Sequence, residues 1–385
     1  MAATRSAAVA SQGRGDVLIV GGGIVGLSTA YFLAKAGVSV TVVERGPVPN
    51  PLASSCDHHR LIRVTYGDSD GYTLRIREAY EAWRTMWADL PGGEDRYYAA
   101  TGILALSQEA GDWTDRSRIT MERHGVPFER IDGIAAIARR FPFVEAANVA
   151  YALLSEGGAL MANRIMADLA DVLRTAGVVI VEHARVDALD LEAGTVRLRD
   201  GRTLAGERLV VAAGVETARL VPDLHGTLVP NRSLIVYAEP PEDLAEAWAG
   251  APSWTELGGG KELWGVAPVK GLPAKFGAGH LGEIDETAAR RTITDEEMRS
   301  VLALYAGRFR AIDRFAIRWG QANYWTLAPD QRFVLGAFGR GLAVSACSGH
   351  GFKFGALSGR DVADVVAGAP LETVARRMAG MPAAA

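Results

Sequence analysis

A group of glycines near the start of the sequence has the spacing of a turn that binds a pyrophosphate. Gly21, Gly23 and Gly26 follow the apolar run 17–20. In such a turn the first glycine permits a tight bend, the second lets the backbone approach the pyrophosphate, and the third lets the next helix pack closely on the strand. The phosphate charge then lies at the positive end of that helix. The spacing therefore predicts a dinucleotide site.

An acidic residue completes this motif. Glu44 stands eighteen residues after Gly26, at the end of the β-branched run 38–43. A carboxylate there can accept hydrogen bonds from both ribose hydroxyls, and it argues against a 2′-phosphate. FAD or NAD is therefore favoured over NADP, and the motif alone does not decide between FAD and NAD.

The elements that must position these residues alternate between strand and helix. The run 17–20 predicts a buried strand, the apolar spacing from Ile24 predicts a helix that ends at Gly37, and 38–43 predicts a second strand. This is the order of a parallel βαβ unit. Similar patterns predict helices at 72–90 and 163–176, strands at 178–181 and 209–214, and a small meander within 186–209.

The middle of the chain has a different pattern. Strand-like runs between 229 and 281 are separated by glycine-containing turns, which indicates antiparallel hairpins. A strand at 341–346 and a helix at 354–367 then restore the βαβ character. A dinucleotide-binding domain that is interrupted by an antiparallel domain and completed by the C-terminal segment fits this order.

Composition narrows the class of protein. The chain has 385 residues, 49% of them apolar and 22% charged, with a net charge of −4 and no run of basic residues, so no nucleic-acid partner is expected. No apolar stretch is long enough to span a membrane, so no membrane partner is expected either. Cys56 and Cys347 are far apart, and the adjacent His58 and His59 would point in opposite directions, so we expect no disulfide and no metal. Reduced thiols favour a cytoplasmic protein.

Beyond these patterns, the chain resembles the monomeric sarcosine oxidase group of FAD-dependent amine oxidases, in the D-amino-acid oxidase superfamily. The resemblance runs from Asp16 to about Gly368. It rests on the glycine-rich start and on two further segments, Arg60-Leu61-Ile62-Arg63 with Tyr66-Gly67, and Ser348-Gly349-His350-Gly351-Phe352-Lys353-Phe354. Arg185-Val186 and Ala212-Ala213-Gly214 are similar to its other FAD-binding segments.

The resemblance implies an α/β fold, with a Rossmann-type FAD-binding domain and an inserted α+β substrate domain built on an antiparallel sheet. The expected bounds are 16–90, 155–225 and 325–380 for the discontinuous FAD-binding domain, 91–154 and 226–324 for the substrate domain, and 1–15 for a disordered tail. The expected FAD contacts are Gly21, Gly23, Ile24, Val25, Gly26, Glu44, Arg45, Ser55, Arg60, Leu61, Val186, Ala213, Gly214, Gly349, Gly351 and Lys353.

The resemblance also implies roles in chemistry. Arg63 and Lys353 would clamp the substrate carboxylate, and Arg60 would lie near the flavin ring. Lys275 would activate oxygen. Tyr324 and Trp264 would line the substrate pocket, with His350 beside the amine.

These roles agree with general chemistry. An arginine fork binds a carboxylate bidentately. Two cations would also orient the α-C–H bond toward the flavin and help the amine lose its proton. The loop 349–353 leads into a helix, whose N–H groups and dipole would face the negative charge of reduced flavin.

The chain departs from the family around the expected flavin ring. Ala322, in the segment before Tyr324-Trp325, stands where several members attach FAD through a cysteine, so we expect non-covalent FAD. Val215-Glu216 replaces an aromatic residue after the second FAD turn, and Ser55-Cys56 stands where histidines usually fall. Redox potential and substrate choice are therefore expected to differ from the family's norm.

The resulting hypothesis is an FAD-dependent oxidase of a secondary amino acid such as an N-alkylglycine, with O2 as co-substrate and an imine and hydrogen peroxide as products. A glycine or D-amino-acid oxidase is the nearest alternative. A dehydrogenase that uses another electron acceptor is a second, and a flavin- or NAD-binding module without redox chemistry is a third. We expect a monomer or weak homodimer.

Overall fold

The computed structural model describes residues 15–279 and 292–382. The tail predicted at residues 1–15 lies outside these residues, except for Gly15, where the first strand begins. The end of the predicted hairpin region, residues 280 and 281, also lies outside them.

The strands of the described residues, in chain order, are β1 (Gly15–Val20), β2 (Val40–Val43), β3 (Arg60–Arg63), β4 (Tyr98–Ala99), β5 (Ile103–Ser107), β6 (Phe128–Asp132), β7 (Tyr151–Ser155), β8 (Gly157–Leu160), β9 (Val179–Val181), β10 (Val186–Asp190), β11 (Thr195–Leu198), β12 (Thr203–Val211), β13 (Val229–Glu239), β14 (Ser253–Thr255), β15 (Trp264–Val266), β16 (Ala274–Gly277), β17 (Ala316–Leu327), β18 (Val334–Phe338) and β19 (Gly341–Ser345). The α-helices are α1 (Ile24–Lys35), α2 (Asp70–Asp89), α3 (Glu94–Tyr97), α4 (Trp113–Arg123), α5 (Ile134–Arg140), α6 (Ala162–Thr175), α7 (Thr217–Leu220), α8 (Ala245–Ala249), α9 (Asp295–Ala303), α10 (Gly355–Val366) and α11 (Leu371–Met378).

The first sheet has a parallel centre. β12 pairs with β1, β1 with β2 and β2 with β9, all in parallel, and β19 pairs in parallel with the other side of β12. β18 adds an antiparallel edge, while β10 and β11 form the predicted meander with the first part of β12. The central strands are rich in buried valine, isoleucine and leucine, as strands covered on both faces require. The α/β class and the βαβ start are confirmed.

Helices α1 and α10 approach closely because small residues meet where they touch. A Cβ placed on Gly359 would lie 2.3 Å from the Cβ of Ser28, and one on Gly355 would lie 2.4 Å from a side-chain carbon of Ile24. Ile24 and Gly355 are the first residues of the two helices, so both N-terminal ends lie side by side. Their dipoles therefore add at one place.

The second sheet has the order β17-β13-β16-β15-β14-β5-β7-β6 and is antiparallel except between β14 and β5. The antiparallel pairing expected between 229 and 281 is confirmed in β13 to β16. The long pairing of β13 with β17 was not foreseen from the sequence. One face of this sheet carries an aromatic core that includes Trp248, Trp254, Phe276 and Phe309.

A small third sheet, β3-β8-β4, contains the Arg60–Arg63 segment as its β3 strand. Among the helices of residues 15–279 and 292–382, none is both long and apolar enough to cross a membrane.

Candidate active site

A cavity of about 880 Å³ lies between the carboxyl ends of β1, β2 and β12 and one face of β13 and β17. Its volume is in the upper range for a small-molecule or cofactor site, and its position at the carboxyl ends of parallel strands is the usual one for nucleotides. The predicted residues that line it are Gly21, Gly23, Ile24, Val25, Glu44, Arg45, Ser55, Arg60, Leu61, Arg63, Val186, Ala213, Gly214, Trp264, Gly349, His350, Gly351 and Lys353. Gly26, Lys275 and Tyr324 are not among the lining residues.

The glycine turn has the geometry that its spacing predicts. Gly21 has φ +114°, and a Cβ there would lie 2.3 Å from the carbonyl oxygen of Ala212. Gly26 does not line the cavity, because its α-carbon packs against the carbonyl oxygen of Gly21, 1.9 Å from where a Cβ would be. Gly23, directly before α1, faces the cavity. The turn can therefore bring backbone close to a pyrophosphate.

Glu44 is buried, and its carboxylate is held in place by three donors. Oε2 accepts from the backbone N–H of Gly22 at 2.7 Å, and Oε1 accepts from Asn50 Nδ2 at 2.8 Å and from the N–H of Gly46 at 3.2 Å. Asn50 was not foreseen from the sequence. A fixed carboxylate on the cavity wall can accept hydrogen bonds from a ribose.

Ion pairs lie along the part of the cavity where the adenosine of FAD is expected. Glu216, at a position where the family has an aromatic side chain nearby, lines the cavity and pairs with Arg45 at 3.1 Å and with Arg219 at 2.6 Å. Arg219 also donates to the carbonyl oxygen of Val186 at 3.2 Å. These contacts hold the two segments that would flank the adenosine.

Two basic side chains, Arg63 and Lys353, line the cavity beside the ring of Tyr66, and this part of the cavity is called its cation end. The guanidinium of Arg63 lies 4.4 Å from the centre of the Tyr66 ring and 5.1 Å from that of Trp113, and its Nη1 is buried without a hydrogen-bond partner. Lys353 is 6% exposed, with its ammonium 5.6 Å from the Tyr66 ring. Burial and the charge of Arg63 hold the pKa of Lys353 well below its usual range. Within residues 15–279 and 292–382, no carboxylate forms an ion pair with Arg63 or Lys353.

His350 is held by aromatic rings on the loop that precedes α10. It stacks on Phe333 with ring centres 4.7 Å apart, meets Tyr72 edge-on at 4.8 Å, and its Nε2 lies 3.1 Å from the carbonyl oxygen of Gln331. Burial, with the charge of Lys353, lowers the pKa of His350 to about 3. The ring is therefore neutral at physiological pH and cannot act as a strong proton acceptor.

Lys275 lies behind the cavity wall rather than in it. It is fully buried, and its ammonium contacts the Asp57 carboxylate at 2.5 Å and the carbonyl oxygen of His59 at 2.7 Å. Asp57 also accepts a hydrogen bond from Arg60, which does line the cavity. No pattern in the sequence identified Asp57, since 218 residues separate it from Lys275.

The prediction that Tyr324 lines the pocket is wrong. Tyr324 and Ala322 pack into the aromatic core on the far face of the second sheet, whereas Asn323 and Trp325 line the cavity. Side chains alternate between the two faces of a strand, so a one-residue shift in reading β17 exchanges the faces. The indole N–H of Trp325 donates to the hydroxyl of Ser233 at 2.6 Å, which fixes its ring on the cavity wall.

Two further residues of the cation end were missed by sequence reasoning. Trp113 is the first residue of α4 and packs against Arg63. No motif in the sequence identified this helix. Glu256 has φ +48° and lines the cavity, and burial raises the pKa of its carboxyl to about 7 although the charge of Arg63 lowers it.

These features fit FAD, which has an adenosine and a pyrophosphate at one end and, at the other, a flavin ring that becomes negatively charged on reduction. The turn at Gly21 and the carboxylate of Glu44 could hold the pyrophosphate and ribose. Arg60, the joined ends of α1 and α10, and the loop that contains Lys353 could hold the ring.

Several known proteins are similar to this chain. N-methyl-L-tryptophan oxidase of Yersinia pestis (strain Pestoides F) is 24% identical over 346 residues, which cover 88% of this chain and 91% of that protein. Two solved structures share the fold. Glycine oxidase from Bacillus cereus ATCC 14579 has a TM-score of 0.75 and 20% identity, covering 95% of this chain and 98% of that one. NikD, an unusual amino acid oxidase essential for nikkomycin biosynthesis, has a TM-score of 0.77 and 21% identity, covering 97% and 99%.

The family assignment rests on a longer match. Residues 16–365 match the family of FAD dependent oxidoreductases named DAO. Because this match spans most of its length, the chain belongs to the DAO family of FAD dependent oxidoreductases.

Proposed function

We propose that this protein oxidises the C–N bond of a small amino acid at non-covalently bound FAD, and that the preferred substrate is a secondary amino acid such as an N-alkylglycine. The observation that carries the proposal is the pair Arg63 and Lys353, two cations at one end of the cavity with no carboxylate partner among the described residues. An uncompensated buried charge is costly. Burial beside Arg63 lowers the pKa of Lys353 for this reason, and a bound substrate carboxylate would compensate the charge of Arg63 and favour the protonated form of Lys353.

The two cations differ in what they give a carboxylate. Arg63 offers a planar fork, whose position is restricted by the Tyr66 and Trp113 rings. Lys353 offers a compact charge from the loop before α10. Two contacts from different directions fix the orientation of the substrate as well as its position.

The same charges act on the amine. FAD, when bound, supplies the two-electron acceptor for the α-C–H bond. A positive field around the substrate favours the neutral amine, whose lone pair is needed as the bond to hydrogen breaks. The neutral ring of His350 is a poor base, so we infer that the amine loses its proton before the redox step.

The overall reaction balances with O2 as the acceptor. R–NH–CH2–COO⁻ gives up two electrons and two protons to become an imine, and O2 takes them to become hydrogen peroxide. Water then hydrolyses the imine to R–NH2 and an aldehyde acid. We assign reaction with oxygen to the region of Lys275 and Arg60.

Two observations support non-covalent binding of FAD, namely the residue types of β17 and the raised pKa of the Cys347 thiol. Ala322 points away from the cavity, and Asn323, which points into it, has no nucleophile. Cys347 lines the cavity, but burial raises the pKa of its thiol, and the protonated thiol is a weak nucleophile.

Three tryptophans support a substrate with an apolar N-substituent. Trp113, Trp264 and Trp325 each line the cavity, with Trp113 in contact with Arg63, and aromatic walls favour an apolar group. This also supports the expected role of the antiparallel sheet as a substrate domain, because β15 and β17 supply two of the three rings.

Peroxide release over a substrate panel tests the proposal. The panel contains N-methyl-, N-ethyl- and N-benzylglycine, glycine, and several D-amino acids, each assayed with the FAD-loaded protein. We expect the highest kcat/KM on an N-substituted glycine. Higher values on glycine or D-amino acids would replace the secondary-amine assignment with the primary-amine alternative.

One observation favours a second function. Lys275 is bound to Asp57 and does not line the cavity, so its contribution to oxygen chemistry depends on that carboxylate. A dehydrogenase that passes electrons to a soluble carrier would reduce dichlorophenolindophenol under nitrogen much faster than it reduces oxygen. An oxidase would show the opposite ratio.

A further inference from the structure

Asp57 lies at the centre of a buried group of charged side chains behind the cavity wall. Its side chain is fully buried, and Oδ2 accepts hydrogen bonds from Lys275 Nζ at 2.5 Å and from Arg60 Nη1. Oδ1 accepts a hydrogen bond from the hydroxyl of Tyr237 at 2.5 Å. Two cations therefore share one carboxylate, and one of them, Arg60, faces the cavity.

Lys275 depends on this carboxylate for its charge. Among the described residues, Asp57 is the carboxylate whose charge raises the pKa of Lys275. The ammonium is otherwise surrounded by the carbonyl oxygen of His59 and by the rings of Trp264 and Tyr237, whose centres are 5.5 Å and 5.9 Å away. The titratable and charged groups around it are Asp57, His58, His59, Arg60 and Tyr237.

The neighbours other than Asp57 do not supply a negative charge. Burial lowers the pKa of His59 to about 3, and the charge of Lys275 adds to this, so the ring is neutral. Burial also raises the pKa of Tyr237 well above its usual value, so its hydroxyl keeps its proton. Burial opposes the ionisation of Asp57, yet the charges of Arg60 and Lys275 hold its pKa well below the usual range.

We propose that Asp57 is a positioning residue that keeps Lys275 charged and fixes Arg60 at the cavity wall, and that through both it sets the rate of reaction with oxygen. The inference rests on the proposed oxygen chemistry near Lys275. Removing the carboxylate leaves an ammonium buried beside a guanidinium, and a buried cation without a partner loses its proton instead.

The charge matters because oxygen first accepts one electron. The superoxide that forms carries a negative charge, which a nearby cation stabilises and a neutral amine does not. The second electron and two protons then complete hydrogen peroxide. Both electrons originate in the substrate, so the effect of Asp57 falls on the oxidative half of the cycle.

Reoxidation measured against pH tests the inference. The FAD-loaded protein is reduced with dithionite, so no amino acid substrate is needed, and is mixed with oxygenated buffer at pH 5.5 to 9.5 in a stopped-flow instrument. Burial lowers the pKa of Lys275 to about 7 even though Asp57 raises it, so the wild-type rate constant should fall as pH rises through that region. In Asp57→Asn the fall should move to lower pH by about one unit or more. Asp57→Glu, which keeps the charge, should restore most of the wild-type profile.

A matched control uses another buried carboxylate. Asp361 is fully buried and pairs with Arg75 and Arg377 away from the cavity. Asp361→Asn should lower the unfolding temperature while leaving the pH profile of reoxidation unchanged. A profile that moves equally in both variants would overturn the inference, because the effect would then come from lost stability.

A stability cycle gives a readout that does not depend on activity. Urea unfolding is measured for the FAD-loaded wild type, Asp57→Asn, Lys275→Met and the double variant. Because Asp57→Asn leaves the buried amine of Lys275 beside Arg60 without their shared carboxylate, the double variant should be more stable than Asp57→Asn alone. Rescue of an insoluble Asp57→Asn by the second substitution supports the same conclusion. Additive losses would overturn it.

The outcomes separate this inference from the proposed function. If Lys275→Met leaves reoxidation unchanged, Lys275 has no part in oxygen chemistry and the proposed assignment fails. If Lys275→Met slows reoxidation but Asp57→Asn keeps the wild-type pH profile, the role of Asp57 alone is wrong.

Discussion

The guanidinium of Arg63 lies between two aromatic rings, 4.4 Å from the centre of Tyr66 and 5.1 Å from that of Trp113. The two residues on either side come from separate parts of the chain, one after β3 and one at the start of α4. The arrangement holds the charge at the cavity by contact with ring faces and leaves Nη1 without a partner. A half-buried cation so placed, with one buried donor atom unpaired, is ready to accept a carboxylate.

The first prediction concerns Trp113. A cation–π contact contributes about 0.5–2 kcal/mol, so Trp113→Ala should raise KM for the amino acid by roughly twofold to thirtyfold. Trp113→Phe should retain most of the affinity because it keeps a ring face. Steady-state kinetics with the best substrate of the panel measure this. An unchanged KM in Trp113→Ala would show that Tyr66 alone holds Arg63.

The second prediction concerns the link to FAD. Acid precipitation of the yellow holoprotein should leave the colour in the supernatant, because neither Ala322 nor Asn323 has a nucleophile and burial raises the pKa of the Cys347 thiol. Colour that stays with the pellet would show a covalent bond. Repeating the precipitation with Cys347→Ser would then identify the thiol.

The third prediction concerns Glu44. Its carboxylate is already oriented by Gly22, Asn50 and Gly46. Glu44→Ala removes the oxygen atoms that would accept hydrogen bonds from the ribose hydroxyls. Hydrogen bonds to a charged group contribute about 1.5–3 kcal/mol, and FAD affinity should fall by roughly tenfold to a hundredfold.

Glu44→Gln is the matched control, because an amide keeps the shape and one acceptor. Its loss of FAD affinity should be intermediate, as measured by fluorescence titration of the apoprotein. If Glu44→Ala purifies with a full complement of flavin, the ribose role is wrong.

Some site residues can be predicted from short stretches of sequence, and others cannot. Gly21 and Glu44 could be predicted because a turn and a strand end are encoded within about thirty residues. The prediction for Tyr324 was wrong because successive side chains of a strand point to opposite faces of the sheet. Aligning the motif one residue too early or too late therefore assigns a side chain to the wrong face. Asp57 was missed because its partners, Lys275 and Tyr237, come from β16 and β13, and only the folded sheet brings them together.

The fourth prediction concerns pH and Glu256. Burial raises the pKa of this carboxyl to about 7, so it is neutral below that pH and negatively charged above it. An ionised Glu256 competes with a bound carboxylate for Arg63, so binding of acetate should weaken as pH rises through this region. Solvent reduces a charge interaction of this kind to about 1 kcal/mol, which corresponds to a loss of roughly fivefold.

Glu256→Gln isolates this effect from the titration of Lys353. At pH 6 the variant and the wild type should bind acetate equally, and at pH 8.5 the variant should bind it more tightly. Perturbation of the flavin spectrum measures the Kd. Equal affinities at both pH values would show that Glu256 does not face the carboxylate.

The last prediction tests the carboxylate clamp, on which the proposed substrate class depends. Breaking a buried ion pair from one side costs about 3–5 kcal/mol, so Arg63→Ala should lower kcat/KM by roughly two to three powers of ten. Arg63→Lys should recover only part of the loss, because lysine keeps the charge without the planar fork. FAD should still bind, since the turn at Gly21 and the carboxylate of Glu44, rather than Arg63, are expected to hold its pyrophosphate and ribose.

The most direct measurement compares kcat/KM for an N-substituted glycine and for its neutral amide, in wild type and in Arg63→Ala. The wild type should prefer the acid strongly, and Arg63→Ala should lose most of that preference. If the wild type oxidises the acid and the amide equally well, the substrate is a simple amine and the cations at this end of the cavity do not bind a carboxylate.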